Sequence, residues 1–130
     1  MSQIFENLYL GDIDTAKQNQ EKEIKIINCA KEITDTRFDY KIDLYDGKND
    51  LNFTQEMDNV VKVIDDFLSS DKIVLVHCSA GVSRSASVVI YYLIKYKNYK
   101  FSNALIYVQS KRPSININRW FYNWFLKNKN

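Results

Sequence analysis

The sequence predicts an α/β layered single domain, with a central, mostly parallel sheet flanked by helices. Three observations carry that expectation. Short β-branched runs such as IVLV, Ile73 to Val76, have the wholly apolar composition of strands buried on both faces. They alternate with longer segments in which apolar residues recur at three- and four-residue steps. Only three glycines and one proline interrupt the 130 residues, with no repeat or low-complexity linker. The connections should therefore be short, and residues 1–130 are expected to form one domain.

Taken in order, LYLG at Leu8 to Gly11 reads as a short strand. Ile24 to Ala30 (IKIINCA) is an isoleucine-rich run suited to a strand covered on both sides. In YKIDLYD, Tyr40, Ile42 and Leu44 alternate with Lys41, Asp43 and Tyr45, the period of a pleated strand. From Leu51 the period changes. Met57, Val60, Val61, Ile64, Phe67 and Leu68 mark one face of an amphipathic helix that ends near Ser69 to Asp71. After the IVLV strand, a helix from Ser85 to Lys97 carries apolar residues on nearly every side, as a helix in the middle of a domain does. Ser102 is expected to cap a short helix that must stop near Arg112, because Pro113 disfavours helical geometry in its predecessor. Asn118 is expected to cap a last helix whose Trp120, Phe121, Trp124 and Phe125 form a core stripe.

Composition narrows the function classes. A formal net charge of +2 is too small to argue for nucleic acid, and the basic KNYK and KNKN segments read as solvated surface. No run of apolar residues is long enough to span a bilayer, and the start MSQIFENLYLGD lacks a secretory pattern, so a cytosolic or nuclear address is expected. Two cysteines and one histidine cannot close a Cys/His zinc site, and no metal is expected. Cys29 is expected to pack in the core, with a redox disulfide to Cys78 as a secondary hypothesis.

The segment His77 to Ser87, HCSAGVSRSAS, joins the IVLV strand to the buried helix. At such a junction the first helical amides lack internal partners and the helix dipole is positive, which suits an anion. Ser79, Ala80, Val82 and Ser83 are short or of modest size, and Gly81 permits the backbone approach that a ring of inward amides needs. The GK[ST] ending of a nucleotide-binding loop is missing. Arg84 offers a planar fork for two phosphate oxygens. Cys78, at the floor, sits where the converging amides, the helix terminus and Arg84 all favour a thiolate nucleophile. Ser85 is placed to donate to that sulfur. Neighbours at a strand end point to opposite sides, so His77 is expected to fix the loop by hydrogen bonds rather than serve as a base. Expelling a phosphate ester's leaving oxygen also needs a carboxylic acid on a separate, movable loop. Asp46, with Gly47 as a hinge, is the candidate, although local chemistry alone allows it to be the start of an Asp-Gly turn.

The block HCSAGVSRSAS resembles the signature of the cysteine-dependent protein phosphatases, in particular the dual-specificity phosphatases. NLYLGDIDTA, INCAKE, KIDLYD and ALIYVQSKRPSININRWF continue the similarity in order along nearly the whole chain. The resemblance implies Cys78 as nucleophile, Arg84 as phosphate binder, Asp46 as general acid and then base, and Ser85 as partner of the departing thiolate. It implies a phosphate ring from the amides of Ser79 to Arg84, and a shallow pocket that admits phosphotyrosine and phosphoserine or phosphothreonine of a protein substrate. No cofactor is implied, because Arg84 and the amides supply the charge stabilisation. The chain departs from the pattern at Ile117, where many relatives carry proline. An RNA 5′-phosphate, phosphoinositide or glycan phosphatase is disfavoured by the uncharged Ser79, Val82 and Ser83. A binding module without turnover is disfavoured by the presence of Cys78, Arg84 and Asp46 together. Arg37, Lys48 and Arg119 are candidates for basic residues around the cleft.

Overall fold

The computed structural model describes residues 1–128; the last two residues of the KNKN segment lie outside the described residues. The strands β1 (Ser2–Phe5), β2 (Leu8–Gly11), β3 (Lys25–Ala30), β4 (Tyr40–Leu44) and β5 (Val74–His77) form one sheet in the order β1-β2-β5-β3-β4. The β1–β2 pair is antiparallel and the other three pairings are parallel. This is the layered, mostly parallel α/β arrangement expected. All four residues of β5 are buried, as its central position between β2 and β3 requires. In β4, Ile42 and Leu44 are buried and Asp43 is exposed, following the alternation in the sequence.

The helices are α1 (Ile13–Gln18), α2 (Phe53–Ser69), α3 (Arg84–Lys97), α4 (Phe101–Lys111) and α5 (Arg119–Asn128). Helix α3 is buried from Arg84 to Leu93, packs across β2, β5 and β3, and is flanked by α2 and α4. Each fully buried Val, Leu or Ile there contributes about 1.5–3 kcal/mol of transfer free energy. The buried Tyr91 and Tyr92 keep their hydroxyls satisfied from α2: Tyr91 donates to Asp58, and Tyr92 donates to Asp65 at 3.0 Å. Burial, with these carboxylates second, pushes both phenols well above their ordinary range. Asn98 ends the helix in the left-handed conformation, φ 60°.

The strand β1 and the helix α1 were not expected from the sequence. Helix α1 has only six residues, too few to show an apolar stripe, and its signal is the cap: Asp12 accepts from the Thr15 amide at 2.8 Å. The expected cap at Ser102 is not observed. Helix α4 begins at Phe101 after an extended Lys100 that makes no side-chain cap, because Phe101 is buried and stacks on Phe125 with ring centroids 4.6 Å apart. Tertiary packing has set that boundary. The cap at Asn118 is observed: its Oδ1 accepts from the Phe121 amide at 3.0 Å. Phe121 and Phe125 are fully buried, and Trp120 and Trp124 meet Phe53 edge-on at 4.8 and 5.0 Å. That aromatic lock holds the start of α5 against the start of α2, and with it the segment leading into Asn118.

Candidate active site

The parallel strands end on one side of the sheet, and β3, β4 and β5 each deliver a polar segment there, the usual place for a ligand in an open α/β sheet. A cavity of about 330 Å³ at this edge is lined by Glu32, Tyr45, Asp46, Cys78, Ser79, Ala80, Val82, Ser83 and Arg84. Cys78 is 3% exposed, and its Sγ lies 3.1 Å from the Ser85 Oγ.

The loop after Cys78 has every carbonyl from residue 78 to residue 83 bonded away from the cavity. His77 Nδ1 reaches the Cys78 oxygen at 3.3 Å. The Ile13 amide donates to Ser79 at 3.0 Å, and the Asn116 amide to Val82 at 2.9 Å. Arg112 donates through Nη2 to Ala80 at 3.4 Å and through Nε to Gly81 at 2.8 Å. Ser83 accepts from the amide and the hydroxyl of Ser87, each at 2.8 Å. In a trans peptide the N–H points opposite to the C=O, so six outward carbonyls turn the amides of residues 79–84 inward. Ser83 does not cap α3 with its own side chain; its Oγ accepts instead from the Asn118 amide at 2.9 Å. The first-turn amides of α3 are thereby left for an anion.

Gly81 sits on the outer wall of this loop. Its φ is +70°, and a Cβ there would lie 2.5 Å from the Gly11 oxygen and 2.9 Å from Arg112 Nη2. Only glycine fits that backbone and that contact.

Arg84 enters the cavity already held. Nη1 and Nη2 donate to the two carboxylate oxygens of Glu32 at 2.6 and 2.7 Å, and Nη1 also reaches the Leu44 carbonyl at 3.2 Å. These bonds bring the Glu32 carboxyl down to about 2 and raise the guanidinium further. Asp46, exposed at the mouth, accepts from Asn118 Nδ2 at 3.0 Å. Asn49, beneath it, donates to the carbonyls of Tyr45 and Gly47 at 3.1 and 2.9 Å and accepts from the Tyr45 amide at 3.0 Å. Gly47 does not require positive φ and has open space around it, so the acid loop is held by Asn49 and Asn118 rather than organised about a glycine.

His77 is fully buried, with Nε2 unpartnered among the described residues. Burial lowers its pKa and keeps the ring neutral; its one bond goes to the loop carbonyl, as a loop-fixing residue requires. Cys29 is a free, fully buried core thiol pushed well up by burial, and Cys78 is free as well. Of the basic residues expected near the cleft, Arg37 is at the opposite end of the parallel strands, beside the start of β3. It bonds the carbonyls of Gln20 and Ile24 and pairs with Asp39 at 2.9 Å.

The structure thus brings together Cys78, Ser79, Ala80, Val82, Ser83, Arg84, Ser85 and Asp46, with His77 and Gly81 supporting the loop. The sequence reading missed Glu32, Asn49 and Arg112, and gave Asn118 only a capping role. Glu32 and Arg84 are 52 positions apart, and Asn118 and Asp46 are 72 apart. No local period reports such pairs.

The dual specificity phosphatase catalytic domain family matches residues 8–130. A protein of Invertebrate iridescent virus 6 named as a tyrosine phosphatase is 34% identical over 127 residues, covering 92% of this chain and 85% of that protein. Protein phosphatase Slingshot of Drosophila melanogaster is 35% identical over 94% of this chain, which spans only 12% of Slingshot. The solved structure of the human tyrosine phosphatase-like serine/threonine/tyrosine-interacting protein has a TM-score of 0.81 at 30% identity, covering 98% of this chain and 93% of its own. The chain belongs to the dual specificity phosphatase catalytic domain family. It is a cysteine-dependent protein phosphatase acting on phosphotyrosine and phosphoserine or phosphothreonine, through the phospho-cysteine intermediate general to that family.

Proposed function

We propose that Cys78 is the nucleophile, that Arg84 and the amides of residues 79–84 bind the phosphoryl group, and that Asp46 and Ser85 handle the two departures. The Cys78 thiolate attacks phosphorus and forms the S–P bond while the ester P–O bond breaks and Asp46 gives its proton to the leaving oxygen. Asp46, now a carboxylate, takes a proton from water. That water attacks phosphorus, and the S–P bond breaks to release inorganic phosphate. The Ser85 hydroxyl, 3.1 Å from Sγ, stabilises the sulfur as it leaves.

One observation supports this reading above the others: six outward-bonded carbonyls around a nearly buried sulfur. Such a ring is organised before substrate arrives and needs no reorganisation as charge builds on the equatorial oxygens. Glu32 contributes by holding the Arg84 fork open toward the cavity, so that its remaining N–H groups meet the phosphoryl oxygens in fixed geometry. The charge stabilisation comes from these groups, and the reading requires no cofactor. Two free cysteines support a reducing compartment, the cytosol or nucleus, as the site of action.

The test is turnover of p-nitrophenyl phosphate and of a phosphopeptide panel by wild type and Cys78→Ser. Loss of about 10⁴-fold or more is expected in the variant. Phosphopeptide binding by wild type without release of phosphate would replace this reading with a binding module.

A further inference from the structure

We propose that Arg112 is a positioning residue for the phosphate site that works from behind the loop, its guanidinium holding two consecutive peptide groups carbonyl-out and polarising their inward N–H groups. This rests on the proposed reading of the loop as the phosphoryl-binding ring, and adds to it a charge that never touches substrate.

Among the described residues, the other anchors of the loop carbonyls are uncharged: two backbone amides, the neutral His77 ring, and Ser87. Arg112 alone brings a full charge, and it serves two neighbouring oxygens, Gly81 at 2.8 Å and Ala80 at 3.4 Å. Its third group, Nη1, donates to Ser2 Oγ at 3.1 Å, which fixes the plane of the fork against β1. A cation at the oxygen end of a peptide group draws electron density along it and strengthens the partial positive charge on the N–H at the other end. The two N–H groups concerned are those of Gly81 and Val82.

The inner wall needs that help. Two carboxylates, Glu32 and Asp46, share it with a single guanidinium, Arg84, which is itself forked onto Glu32. A doubly charged phosphoryl group therefore gains from a cation placed outside the wall, across one layer of backbone. Asp12 opposes Arg112 from the same side. Its carboxylate is fixed by the amide and hydroxyl of Thr15 at 2.8 and 2.9 Å. It is held below its usual range first by that amide and in part by the Arg112 charge.

The opposition supplies a test with two signs. Competitive inhibition by inorganic phosphate is measured against p-nitrophenyl phosphate turnover, with a thermal melt for every variant. Arg112→Met should raise the phosphate Ki about tenfold and lower kcat comparably, less than the 10²–10³-fold loss seen when a direct oxyanion donor is removed. Arg112→Lys, which keeps the charge without the fork, should fall between. Asp12→Asn retains a side-chain oxygen to cap α1 and removes the opposing charge, so its Ki should fall about two- to threefold. A lowered melting temperature with unchanged Ki in Arg112→Met would reduce Arg112 to a strap. A Ki in Asp12→Asn that stays level or rises would overturn the proposal even where Arg112→Met fails to fold. Wild type that turns over substrate without competition by phosphate would instead overturn the reading of the ring itself.

Discussion

The two loops that meet over Cys78 are built on opposite principles. The loop from Cys78 to Ser83 has each carbonyl anchored, a glycine wedged against Gly11, and residues of β2, α1, α3 and the segment before α5 bracing it from outside. The loop from Asp46 to Asp50 lies largely at the surface and is held by two asparagines. The difference follows from what each must do. A group that stabilises charge must be in place before the charge forms, because reorganisation would add to the barrier. A group that gives and regains a proton must meet different leaving groups and water, and an exposed carboxylate does that better.

The two loops should differ most in their response to replacement of glycine by alanine. Gly81→Ala puts a Cβ 2.5 Å from a backbone oxygen at φ +70°, so a stability loss of about 2 kcal/mol or more and loss of turnover are expected, read by denaturant melts and p-nitrophenyl phosphate. Gly47→Ala meets nothing within 4 Å and should stay within about 0.5 kcal/mol of wild type with activity retained. Equal losses would mean that the acid loop is as closely specified as the phosphate loop.

Next in size is Asp46→Ala, expected to slow hydrolysis of alkyl or phenyl phosphates about 10²–10³-fold while sparing aryl phosphates with good leaving groups. A slope of log kcat against leaving-group acidity, steeper in the variant, checks it. Asn118→Ser sharpens the same point. Serine still caps α5, but the Nδ2 donor to Asp46 is gone. A loss of about tenfold, absent when Asp46 is already alanine, would separate orientation of the acid from capping.

The smallest effect concerns pH. His77 is buried and neutral in the fold, while an unfolded chain takes up its proton near pH ~6.5. Its contribution is therefore present above that pH and declines as pH falls through the depressed folded value. Melting temperature should drop between about pH 7.5 and 5.5 in wild type and hold more nearly level in His77→Asn. Glu32, brought from 4.5 to about 2, follows the same sign lower down: its contribution is present above about 4.5 and lost as pH falls through about 2. Its side chain is 59% exposed, so solvent screening keeps that contribution small.

The strands and long helices were legible because a period of two or of 3.6 residues repeats within each of them. The phosphate loop was legible because one strand, six small or modest residues and one arginine stand together in sequence. The short α1 and the start of α4 were not. The first has no stripe, and the second is decided by Phe101 seating on Phe125. Glu32, Asn49 and Arg112, each one polar residue among many, acquire their roles only where the folded chain sets them against Arg84, the Tyr45 carbonyl and Gly81.

The bond between Arg112 and Ser2 joins positions 110 apart, and residues 112–118 supply five hydrogen bonds to the two loops that shape the cavity wall. During synthesis, the cysteine leaves the ribosome long before the segment that finishes its surroundings. A nascent chain should thus be silent toward phosphate esters until residues 112–118 have emerged, so that the sulfur's reactivity is switched on by the arrival of that segment. A stalled-ribosome series, scored for turnover with stall sites before and well after residue 118, would show at which chain length that happens.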